Sequence, residues 1–127
     1  VEIINFDQAE DGVLEIDVRC KCLIDFHSID KGDDTLLYGE VTYCAHWSKK
    51  SNDLLTKQLS ESLINVIKNN SVLSSFYSTK VKDNPTWVVS RWLELLPVDK
   101  NIKMTFVDKN SFEQAKGFIQ SIIYKGS

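Results

Sequence analysis

The chain has 127 residues, 43% of them apolar and 26% charged, with a formal net charge of -3. That composition fits one globular domain large enough to bury a real core, and no run approaches the roughly 20 apolar residues that span a bilayer. The acidic balance and scattered lysines argue against a dedicated nucleic-acid surface, which leans on clustered Lys and Arg.

Ile3-Ile4-Asn5-Phe6 reads as a short strand, and Asp11-Gly12 as a turn. From Val13 the residues alternate strictly, with Leu14, Ile16, Val18, Cys20, Cys22, Ile24 and Phe26 on one side. Period two predicts one long strand, bent or bulged near Cys20 to Cys22. Asp30 to Asp34 is a polar loop, after which Leu37, Val41, Tyr43, Ala45 and Trp47 share a strand face and complete a hairpin.

From Ser51 the period becomes helical. Leu55, Leu59, Leu63, Val66 and Ile67 form a stripe capped by Ser51 or Asn52, and Asn69-Asn70 ends it in a left-handed turn. Val72 to Tyr77 predicts a short helical turn, and Ser74-Ser75 with Ser78-Thr79-Lys80 is the most polar and loop-like region of the helical half. Asn84-Pro85 opens a helix through Trp87, Val88, Trp92, Leu95 and Leu96, which Pro97 stops. Asp99 caps a brief helix with Ile102 and Phe106, and Ser111-Phe112-Glu113-Gln114 is a capping box for a last helix through Ile123. Strands followed by helices make the fold class α+β, with a β part over residues 1–50 and a helical part over 51–127 of one domain.

Cys20-x-Cys22, His27 and Cys44-x-His46 have the residue types of a zinc site. Their spacing misses the usual gap between zinc cysteines, and the two pairs fall on opposite sheet faces, so no metal is expected. The three cysteines read as buried, free structural thiols in a reducing cytoplasm. A Cys nucleophile paired with His27 or His46 would need an electropositive, partly exposed setting that an apolar strand face does not offer. No serine sits in a Gly-x-Ser-x-Gly elbow, and five glycines build no phosphate loop. Catalytic residues and cofactors are therefore expected to be none. Trp92 belongs to the core by its helix face, whereas Trp47, beside Ser48 and Lys49, and Trp87, in a first helical turn, are the candidate binding residues.

Asp11-Gly12-Val13-Leu14, Gly39-Glu40-Val41 and Leu95-Leu96-Pro97, in this order, resemble the Lon protease substrate-binding domain, also called the Lon N-terminal domain, over nearly the whole chain. Cys20, Leu23 and Ile24 depart from that family's usual glycine, arginine and phenylalanine, so no role tied to the arginine carries over. The resemblance implies a partial PUA-like β-barrel subdomain followed by an α-helical bundle. It further implies a non-catalytic module that recognises unfolded or peptide-like protein substrates and is associated with proteolysis. The family's opening strands have no counterpart before Val1, so the domain is expected to be N-terminally incomplete, with a homodimer formed through the exposed edge as a further expectation. The ending soon after the last helix suits a stand-alone Lon-like domain. The alternative is an RNA-binding PUA-like module, against which the acidic balance counts; a small hydrolase using Cys22 or a serine is a third reading.

Overall fold

A computed structural model describes residues 1–77 and 82–125; the predicted loop at Ser78-Thr79-Lys80 lies outside them. The chain forms two compact units, Val1–Ala45 and His46–Ser127.

The first unit holds strands β1 (Glu2–Gln8), β2 (Leu14–Arg19), β3 (Leu23–Lys31) and β4 (Leu37–Cys44). They pair antiparallel as two separate two-stranded sheets, β1 with β2 and β3 with β4. The single long strand expected from Val13 to Phe26 is thus corrected to two strands. Its alternation was real, but a period of two says nothing about which neighbour supplies the hydrogen bonds. Leu14 to Arg19 turn back onto β1, Leu23 onward pairs forward with β4, and Cys20-Lys21-Cys22 belong to neither ladder. Register shifts fall between Ile3 and Asn5 and between Phe26 and Ser28, leaving Ile4 and His27 as bulged residues.

Both hairpins close with the same turn. The Gly12 amide donates to the Ala9 carbonyl at 2.9 Å and the Ala9 amide to the Val13 carbonyl at 2.8 Å. In the second hairpin Thr35 donates to Gly32 at 3.0 Å and Gly32 to Leu36 at 2.8 Å. An aspartate side chain reinforces each turn, Asp11 accepting from the Val13 amide and Asp34 from the Leu36 amide. The left-handed position is Gly12 in one turn (φ 83°) and Thr35 in the other (φ 68°), an uncommon place for a β-branched residue. Further along, a Cβ added at Gly39 would lie 2.9 Å from the Phe26 ring, so the aromatic ring occupies the space that glycine leaves.

The second unit is helical: α1 (Leu54–Lys68), α2 (Ser71–Phe76), α3 (Pro85–Leu95), α4 (Lys100–Thr105) and α5 (Phe112–Tyr124). Leu59, Leu63 and Ile67 of α1 meet Val88, Val89 and Trp92 of α3, and Ala115 and Ile119 of α5 complete the core with Leu96, Phe106 and Phe112. Val66, expected in the α1 stripe, is exposed at its margin. The Trp92 indole N–H donates to the Leu59 carbonyl at 2.9 Å, which gives a buried polar atom its partner. Leu96 leaves the helix in an extended conformation (ψ 134°), as a residue before proline must.

Asn84 accepts from Thr86 and Trp87, and Asp99 from Asn101, as their positions predicted. Three other ends differ. The α1 cap is Asp53, not Ser51 or Asn52, in a reciprocal box with Thr56. Asn69 closes α1 at φ -83°, not in a left-handed turn, because Asn70 is used to cap α2. Ser111 makes no cap hydrogen bond, since its hydroxyl is drawn to the carbonyls of Phe106 and Asp108.

Candidate functional site

The two units offer different surfaces. In the helical unit Trp47 is half-buried: its Nε1–H donates to the Ser111 hydroxyl at 3.0 Å and its ring meets Phe112 edge-on at 5.4 Å. His46 stacks on Trp47 with centroids 4.2 Å apart, and its Nε2 lies 3.0 Å from the Phe106 carbonyl, so that nitrogen carries the proton. Lys50 and Lys116 approach the Phe112 ring at 5.5 and 5.6 Å.

Lys116 also ties α5 to the start of α1. Its ammonium donates to Asp53 Oδ2 at 2.6 Å and pairs with Glu113 Oε2 at 2.8 Å. The lysine beside it, then the Thr56 amide, hold the Asp53 carboxyl at a pKa of about 2. Burial pushes the Lys116 ammonium down, but its hydrogen bonds to Asp53 and Glu113 outweigh this and the net shift is upward.

Trp87 is likewise half-buried, edge-on to Tyr77 at 6.3 Å, with the Arg91 guanidinium 5.7 Å from the Tyr77 ring and 6.0 Å from its own. Burial, then Glu94, push the Tyr77 phenol up to about 12. Arg91 Nε lies 3.1 Å from Glu94 Oε2, close enough for an ion pair but without hydrogen-bond alignment. Trp47 and Trp87 therefore sit in separate aromatic clusters, each half-buried and packed against the core. An open cleft of about 430 Å³ near the start of α3 is lined by Lys49, Lys50, Asp83, Asn84, Pro85 and Thr86.

No residue of Val1–Ala45 is buried. The β1–β2 sheet is nonetheless sharply two-faced: Ile3, Phe6, Leu14, Ile16 and Val18 share one side, and Glu2, Asp7, Glu15 and Asp17 lie on the other. In β3–β4, Ile24, Phe26, Ile29, Leu37, Val41 and Tyr43 share a side. Phe6 is 73% and Tyr43 77% exposed, so these are open apolar faces rather than core. Cys20 and Cys22 are exposed, which corrects the expectation of buried thiols; only Cys44 is half-buried. The first two lie between the ladders and belong to neither, while the Asp25 carboxylate, then burial, raise the Cys44 thiol. Among the described residues no group of three or more His, Cys, Asp or Glu is placed to hold a metal ion. Among them too, no helix is long and apolar enough to cross a membrane.

The unit boundary also sorts the charges. Val1–Ala45 carries eleven acidic and three basic residues, a net charge of -8, whereas His46–Ser127 carries twelve basic and seven acidic, +5. The whole-chain value of -3 conceals this division.

Among the described residues the chain is α+β, with two antiparallel hairpins and five helices, and it matches a solved structure. The crystal structure of a Lon N-terminal domain protein from Xanthomonas campestris aligns with a TM-score of 0.65 and 21% identity, covering 94% of this chain. The chain spans 63% of that protein's length. At that identity the likeness is one of fold. No protein-family model and no curated protein sequence matches the chain.

Proposed function

We propose that this chain is a non-catalytic recognition module for unfolded or peptide-like protein segments, with the fold of a Lon N-terminal domain. In this reading the two hairpins are part of a PUA-like β subdomain, and the free thiols suit a reducing, cytoplasmic setting. The observation that carries it is the pair of open apolar sheet faces in Val1–Ala45, where every large apolar strand side chain except Leu23 is exposed. Burying a partner's apolar side chains against such a face yields roughly 25 cal/mol per Å², with no covalent step. The competing RNA reading meets the -8 charge of that unit, which repels phosphate.

Binding of a permanently unfolded protein, its folded parent and a single-stranded RNA would be compared by fluorescence anisotropy at low and physiological salt. Selective binding of the unfolded form is expected. Equal binding of folded and unfolded forms, or tight salt-sensitive RNA binding, would overturn the reading.

A further inference from the structure

We draw no further inference here: the strongest candidate, the open cleft of about 430 Å³ lined by Lys49, Lys50 and Asn84 at the start of α3, amounts to a helix N-terminus beside two lysines, and no second observation in the structure points to a ligand there.

Discussion

The two oxygens of Asp53 have separate tasks, which makes this residue a sharp test of how the helical unit holds together. Oδ1 accepts from the Thr56 amide at 2.8 Å and caps α1, while Oδ2 accepts from Lys116 on α5 at 2.6 Å. Asp53→Asn keeps a capping oxygen of equal rank and removes the charge, and Asp53→Ala removes both. A helix cap contributes about 1 kcal/mol. Lowering a pKa from 3.8 to about 2 corresponds to roughly 2.4 kcal/mol, but the Asp53 side chain is 49% exposed and solvent screening reduces this to about 1 kcal/mol. Asp53→Asn should therefore cost about 1 kcal/mol and Asp53→Ala about 2, each kcal/mol lowering Tm by about 5 °C for a unit of this size.

Because the carboxyl is more acidic in the folded state, its contribution is complete above pH 3.8 and is lost as pH falls towards about 2. The raised Lys116 acts at the other extreme, its contribution present at lower pH and lost as pH rises through its folded pKa, above 10.5. All three tryptophans, Trp47, Trp87 and Trp92, lie in the helical unit, so fluorescence-detected urea unfolding reports that unit alone. Equal losses for the two variants, or an Asp53→Asn protein with undiminished acid sensitivity between pH 4 and 2, would refute this division of labour.

Trp92→Phe removes the hydrogen bond to the Leu59 carbonyl and part of a core ring; the same urea assay should show a loss of about 2 kcal/mol. Thr35→Gly relieves a β-branched residue of positive φ and should stabilise its turn by about 1 kcal/mol, while Gly12→Thr should destabilise the matching turn by at least as much. Hydrogen-exchange protection of the Gly32 and Ala9 amides reads each change. In a thiol titration with an aromatic disulfide, Cys20 and Cys22 should react ahead of Cys44, which is half-buried beside Asp25. Three equal rates would contradict that placement.

The helical unit was the more legible half because its signals are local. Asn84-Pro85 and Asp99 cap where their chemistry demands, and the helix face of Trp92 placed it in the core. Ser111 shows where a local signal yields: its capping-box pattern was intact, but Phe106 and Asp108 carbonyls and the Trp47 indole claimed the hydroxyl. Those partners lie up to 64 residues away. In the β unit, alternation separated the faces within each strand, but it carried the last strand on to Ala45 and Trp47, past its end at Cys44, and missed the change of partner at Cys20 to Cys22, because ladder choice is a long-range property. The sorting of charge was present in the sequence throughout, yet it had no meaning until the unit boundary at Ala45 and His46 was drawn.

A chain with -8 at one end and +5 at the other has consequences for its handling in solution. In dilute buffer, the acidic unit of one molecule attracts the basic unit of the next. Such head-to-tail contacts extend into open-ended strings unless the rotation between successive copies closes them into a ring. Added salt screens them, and solubility should rise with ionic strength before it falls, so purification in low-salt buffer would favour turbidity where a net charge of -3 alone suggests an unremarkable protein.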